Sequence, residues 1–405
     1  MSRSKDIAEI LGLTEAENTT NASLGDGSGG GSGVTAYSHD SAGALLAADS
    51  SGYTDGSLHY LSKLREMYVW DDSDGAFYKF DHLDSDHLGY TPGPEWTPMG
   101  STSLYATGVS GPGYNNSHTI QKWPFAGGAS YATDAAELTI YRTQHTAFSS
   151  SDYGYCATGF NPNGPAAEAK RRVERFPFAS DANATDIGDF SDQIYSSSNG
   201  CLQNATFGYV AGGHDFYKNI KKFAFGSSVS VIQVGELAGS GKDLYHDQSA
   251  QSSSAHGYVS GGYAYGGGYS WHRYNNIEKF PFSTDTNSTD VGDITITRSH
   301  VVGNSSSTHG YIHGGEAPTG KSNVIDKFPF ASDGNATDVG DLIVAQSRGG
   351  ASNYTTAGYR IGGYGGTPYH AYKNVIQSFS FSSDGNATDQ ADLWAGGLYA
   401  RGHQV

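Results

Sequence analysis

Apolar positions along this chain do not follow a helical period. Short apolar and aromatic runs are separated by clusters of Gly, Ser, Thr, Asn and Asp, the pattern of strands joined by turns. One phrase recurs, clearest as NNIEKFPFSTDTNSTDVGDI and NVIDKFPFASDGNATDVGDL. Its aromatic pairs are Trp123/Phe125, Phe176/Phe178, Phe223/Phe225, Phe280/Phe282, Phe328/Phe330 and Phe379/Phe381. The spacing is roughly fifty residues, a period that belongs to repeat architectures.

Upstream of each pair an apolar stretch ends on glycine: YATG, YCATG, YVAGG, YVSGG, YIHGG and YRIGG. Downstream, an acidic phrase ends on Leu138, Phe190, Leu237, Ile294, Leu342 or Leu393, in several copies followed shortly by Arg. Each unit therefore reads as a Ser/Thr-rich strand, a Tyr-x-x-Gly-Gly strand, a variable loop, an Ile-x-Lys-Phe-Pro-Phe strand, a turn and a Thr-Asp-Val-Gly-Asp-Leu strand. In the third strand Ile325 opposes Phe328 and Phe330 by parity, so apolar residues are expected on both of its faces. The chain ends in LWAGGLYARGHQV, which matches only the opening of a further unit, while the first unit lacks that opening. The C-terminal strand is expected to complete the first blade, because an unclosed ring would expose two sheet edges.

This order of elements resembles the kelch repeat over residues 101–405. The resemblance implies an all-β fold: a six-bladed kelch-like β-propeller of four-stranded blades around a central channel. The usual family tryptophan near the fourth strand is missing from most copies, and the second and third repeats lack the Arg. Residues 1–33 open with a candidate helix at Ser4 to Leu11 and end in GDGSGGGSG, the composition of a flexible arm and linker. Residues 34–100 read as a small β module, with strands in LHYLSKLREMYVWDDSDGAFYKFD joined by an Asp-Ser-Asp-Gly turn. MSRSKDIAEILG together with YVWDDSDGAFYKF resembles the N-terminal part of virion structural proteins of marine bacteriophages, tail-fibre-like proteins among them. That resemblance implies a homo-oligomeric virion component, assembled in the host cytoplasm and exposed on the particle surface. Residues 1–100 would then contact other virion proteins.

Composition narrows the partners. The chain has 405 residues with 28 Tyr, 18 Phe and 56 Gly, which suits aromatic strands and glycine turns, and a formal charge of -17. Such a charge repels phosphate backbones, so no nucleic acid partner is expected. No run approaches the roughly 20 apolar residues of a membrane span, and Met1 to Leu13 lacks the apolar core of a signal peptide, so no membrane insertion is expected. Two cysteines, Cys156 and Cys201, make neither a disulfide framework nor a thiolate metal site.

Three features invite chemistry. The turns place Asp181/Asn183/Asp186, Asp285/Asn287/Asp290, Asp333/Asn335/Asp338 and Asp384/Asn386/Asp389 at matching spacings. Their oxygens could hold calcium, but bracing of the hairpin turn by side chain to backbone hydrogen bonds is the favoured reading, and no cofactor is expected. His256 and His309 recur before a Gly-Tyr, where other repeats carry Phe207, Tyr153 and Ala357, an exchange that a ligand shell would not tolerate. The loops after the Gly-Gly strands vary most, and Tyr263, Tyr265, Tyr269, Trp271, His272, Tyr369 and Tyr372 gather in them. Aromatic platforms with polar rims suit a host-surface glycan or a protein receptor. No hydrolase, metalloprotease, Walker or dinucleotide motif is placed on suitable elements, so an enzyme is not expected. The alternatives are a secreted propeller enzyme acting on polysaccharide and a purely structural decoration protein.

Overall fold

The computed structural model describes five strands before residue 100, and residues 103–405 except 110–117, 125–130, 162–168, 192, 195–201, 214–217, 240–243, 267–269, 366–370, 395–396, 398 and 404–405. The Ser4 to Leu11 helix, the GDGSGGGSG linker and Cys201 lie outside the described residues. The chain forms two compact units, Met1–Trp96 and Thr97–Val405. In the first, strands Ala22–Ser23, Thr35–His39, Leu58–Leu61, Glu66–Asp71 and Ala76–Lys79 make one sheet. Trp70 pairs with Phe77 across the expected hairpin.

The second unit is a six-bladed propeller of antiparallel sheets. From the channel outward, blade 2 consists of Thr146–Ser149, Tyr153–Ala157, Arg172–Pro177 and Thr185–Asp189. Blade 4 consists of Ser249–Ser252, His256–Ser260, Asn276–Pro281 and Thr289–Asp293, and blade 5 of Val302–Ser305, His309–His313, Val324–Pro329 and Thr337–Asp341. Blade 6 holds Gly350–Asn353, Ala357–Gly365, Ala371–Ser380 and Thr388–Asp392. Blade 3 has Phe207–Ala211, Asn219–Ala224 and Val231–Glu236, with Gln203 bridging to Gly208 on the channel side. Blade 1 combines Ser103–Thr107, Thr119–Pro124 and Thr133–Glu137 with the C-terminal strand Arg401–His403. Arg401 pairs with Thr107 and His403 with Tyr105, which closes the ring as the repeat pattern requires.

The repeated aromatics hold one blade to the next. In blades 2 to 5 the second-strand Tyr packs against the Phe pair of the following blade: Tyr155 stacks on Phe225 at 4.8 Å, Tyr209 on Phe282 at 4.7 Å, Tyr258 on Phe330 at 4.9 Å and Tyr311 on Phe381 at 4.9 Å. Such pairs contribute about 0.5–1.5 kcal/mol beyond their buried area. In blades 2 to 6 the glycine before the second-strand Tyr makes room for the third-strand ring. A Cβ on Gly154, Gly257 or Gly310 would lie 2.3, 2.5 or 2.4 Å from Phe176, Phe280 or Phe328.

The third strand buries apolar residues on both faces, as expected, with Ile325 and Phe328 both shielded, and between the apolar positions Glu174, Glu278, Asp326, Gln121 and Gln377 are buried too. Each accepts a backbone N–H from the segment leaving the preceding blade: Thr139 to Glu174 at 2.6 Å, Ala238 to Glu278 at 2.9 Å, Thr295 to Asp326 at 3.1 Å, Trp394 to Gln121 at 3.0 Å and Ile343 to Gln377 at 2.9 Å. Arg142 pairs with Glu174 at 2.7 Å and Arg298 with Asp326 at 2.5 Å, all four side chains shielded from solvent. These are the arginines that follow the acidic phrase.

The Asp-x-Asn turns brace their own hairpins, with Asp186, Asp290 and Asp338 accepting the N–H of Gly188, Gly292 and Gly340, and they brace the neighbouring blade as well. Asn183, Asn287, Asn335 and Asn386 accept the N–H of Glu137, Glu236, Asp293 and Asp341 on the preceding outer strand. Asp181, Asp285 and Asp333 pair with Lys122, Lys222 and Lys279 of that blade at 2.9, 2.7 and 2.5 Å, and Asp384 pairs with Lys327. A one-residue outer-strand bulge accompanies the pattern, as between Ile325 and Asp326.

Candidate functional site

Five blades enter the channel through equivalent residues. Gln144, Asp247, His300, Arg348 and Tyr399 each lie two positions before an inner strand, and each has a left-handed backbone, with φ of 54, 57, 52, 59 and 56°. The equivalent in blade 3 lies outside the described residues. Non-glycine residues adopt this conformation at a cost of about 1–3 kcal/mol, and such strain concentrates at functional sites. The backbone conformation is constant while the side chains run through amide, carboxylate, imidazole, guanidinium and phenol.

Neighbouring entry residues touch. His300 Nε2 lies 3.1 Å from Asp247 Oδ2, the Arg348 N–H donates to the His300 carbonyl at 3.3 Å, and the Tyr399 N–H donates to the Arg348 carbonyl at 2.7 Å. The loops after the Gly-Gly strands rise at the same end. Tyr263–Gly266 and Ser270–Arg273 form a hairpin that pairs with Leu244–His246, directly before Asp247. In blade 5 Glu316–Ala317 pairs with Gly320–Lys321, and in blade 6 the second and third strands extend so that Tyr364 faces Tyr372.

Glu316 is the hub of this end. Its carboxylate lies 3.1 Å from Lys321 Nζ, 3.7 Å from Arg348, 3.9 Å from Arg273 and 3.8 Å from His300 Nδ1. Burial pushes Glu316 up, but His300, Arg348 and Lys321 outweigh it and hold the carboxyl below its ordinary value. Asp247 accepts from His246 Nδ1 at 2.7 Å. Burial raises Asp247 too, and its histidine and arginine neighbours reverse the effect, so the group is ionised. His300 goes the other way: burial outweighs the attraction of Asp247 and lowers it to about 4, leaving a neutral ring at pH 7. Its Nε2–H donates to Asp247, and its Nδ1 accepts from Ser299 Oγ at 3.2 Å.

Aromatic faces line the same track. Tyr263 meets His300 edge-on at 5.2 Å and carries the Arg273 guanidinium 5.0 Å from its ring centre. Lys321 Nζ stands 4.8 Å over Tyr364, which contacts Tyr372 at 5.7 Å. A continuous path thus runs from Tyr263 on blade 4 through His300, Glu316 and Lys321 on blade 5 to Tyr364 and Tyr372 on blade 6. Of the residues expected from the variable loops, Tyr263 and Tyr372 join it, and His272 is exposed on the blade 4 hairpin. Tyr265 and Trp271 pair on that hairpin, their side chains lying outside the described residues, as Tyr269 and Tyr369 do altogether. His256 and His309 begin second strands beside Tyr258 and Tyr311.

Sequence reasoning missed Asp247, His300 and Arg348. Their signal is a position of changing chemistry two residues before a constant Ser/Thr-rich strand, in HDQS, SHVV and SRGG. Three cations, Arg273, Lys321 and Arg348, face two carboxylates, Asp247 and Glu316, a local excess of positive charge on a chain of formal charge -17. Such a surface can hold hydroxyls on its carboxylates, anionic groups on its cations and sugar faces on its rings. No family model matches the chain, and no curated protein matches it significantly.

Proposed function

We propose that this protein is a non-enzymatic, homo-oligomeric appendage of a phage particle, whose kelch-like propeller holds a carboxylated host-surface glycan at the channel mouth of blades 4 to 6. The observation that carries the binding reading is the Tyr263 to Tyr372 path, with three cations set around Glu316. Glu316 orders the cations, an acidic sugar shares them, and tyrosine faces take its ring. The particle reading rests on the N-terminal resemblance, with residues 1–100 contacting other virion proteins.

The full chain, applied to an array of neutral and acidic glycans, is expected to retain uronate- or sialate-bearing members. Lys321→Ala and Arg348→Ala should each weaken binding about tenfold, the value of a lost charge-assisted hydrogen bond. Equal retention of neutral and acidic glycans, or none, would sink the ligand assignment. Particle incorporation that survives removal of residues 1–100 would sink the attachment role. A polysaccharide-cleaving reading is favoured by the Asp247, His300 and Glu316 contacts. Release of reducing ends, abolished in Glu316→Gln, would establish it instead.

A further inference from the structure

A second polar cluster lies between blades 1 and 2. Thr107 Oγ1 sits 2.8 Å from His145 Nε2, 2.9 Å from His403 Nε2 and 3.4 Å from Cys156 Sγ. Cys156 Sγ is 3.6 Å from His403 Nε2, and a nitrogen or sulfur from each of His145, Cys156 and His403 falls within a 4.8 Å set. All four residues are fully shielded from solvent. His403 donates its Nδ1–H to the Phe148 carbonyl at 3.0 Å, which leaves an Nε2 lone pair facing the cluster. A ring oriented by such a bond is the usual arrangement of a metal-binding histidine. A histidine ligates through a neutral ring whose free nitrogen carries the lone pair.

We propose that His145, Cys156 and His403 form a buried copper(I) site. Two imidazoles and a thiolate make a soft donor set that selects copper(I) or zinc. Charge and number decide between them. A thiol takes a cation by releasing its proton to solvent, so Cys156 brings one negative charge to the site. Copper(I) with one thiolate is neutral, whereas zinc leaves a positive charge beside buried Arg401, whose bonds go to the carbonyls of His145 and Ala400. Zinc also requires a fourth ligand, and three donors suffice for copper(I). On binding, the Thr107 hydroxyl yields its place between the rings, and the His145 proton moves to Nδ1, an atom that makes no hydrogen bond in the metal-free wiring.

The test uses the full chain carrying Cys201→Ser, produced with added copper, purified under argon and titrated with a chromophoric copper(I) chelator. About one equivalent should resist the chelator, and Cys156→Ser and His403→Gln should each weaken retention at least about 100-fold. Thr107→Ala supplies the readout if those variants fail to fold. It should lower Tm without copper and regain it with copper, which loss of a hydrogen bond alone does not produce. No retained copper, retention unchanged by Cys156→Ser, or zinc held in its place would each overturn the proposal.

Discussion

The junctions from blade 4 to 5 and from blade 2 to 3 are built on the same plan and held differently. Both keep the aromatic stack, Tyr258 on Phe330 and Tyr155 on Phe225, and both keep an outer backbone bond, Ala336 N–H to Asp293 and Val229 N–H to Ile187 at 2.8 and 2.9 Å. Between blades 4 and 5, Asp326 adds an acceptor for Thr295 and Arg298, Asn335 receives Asp293, and Asp333 pairs with Lys279. Between blades 2 and 3 the corresponding residues are Lys221, Ser230 and Ser228. Lys221 has no lone pair to offer, and burial lowers its pKa. Apolar packing specifies the ring, and the polar layer sets how firmly each junction closes.

The closure between blades 6 and 1 is the most severe way to break the ring. Removing residues 400–405 deletes the inner strand of blade 1 and uncovers Leu104 and Thr107, both fully buried. Cooperative thermal unfolding should be lost. A truncated chain that melts within a few degrees of the full chain would show that closure contributes little.

Within the ring, Asp326→Ala should cost about 3–5 kcal/mol, because it leaves Arg298 buried and unpaired. Gln377→Ala at the next junction removes a neutral acceptor and should cost about 1–3 kcal/mol. Chemical denaturation of both variants measures the difference, and equal losses would mean that charge adds nothing to the polar layer.

The blade count, the diglycine strand ends and the C-terminal closure were legible because duplication repeats them, and a repeated apolar pattern needs no partner to be recognised. Asp326 and Glu278 were not, since in sequence they look like ordinary alternation on an exposed strand face. Only the preceding blade turns that face into an interior. The mouth site divides the same way. Tyr263 and Tyr372 stand out as aromatics in variable loops, whereas Asp247, His300 and Arg348 gain meaning from a shared backbone conformation that sequence does not display.

Acid should narrow the contrast between junctions. Burial holds His300 and His403 at about 4, below the ordinary 6.5, so between these values the unfolded chain binds protons that the folded chain refuses. Their stabilisation is full above about pH 6.5 and is lost as pH falls through 4, by about 3 kcal/mol for each. His300 contacts Asp247 from the adjoining blade, and His403 bonds to Phe148 of the adjoining blade. Hydrogen exchange at pH 7 should therefore find the Ala336 amide better protected than that of Val229, with the gap smaller at pH 5. A gap that widens on acidification would contradict the neutral-histidine assignment.

The smallest and most specific change is to give the junction between blades 2 and 3 the turn residues of blade 5. Ser228→Asp with Ser230→Asn reproduces the turn that Asp333 and Asn335 supply to blade 5. Arg175 already stands in the place of Lys279, with its guanidinium 4.2 Å from the Tyr153 ring centre. The new Asn would receive a backbone N–H, worth about 1 kcal/mol, and the exposed Asp–Arg pair would add at most about 0.5 kcal/mol. The opposite change, Asn335→Ala, should lose about the same amount. If the double substitution stabilises the chain while protecting the Val229 amide, the polar layer is transferable between blades. A neutral result, with Asn335→Ala still destabilising, would place the difference in backbone register, because the bond from Val229 to Ile187 lies two residues before the position used by Ala336 and Asp293.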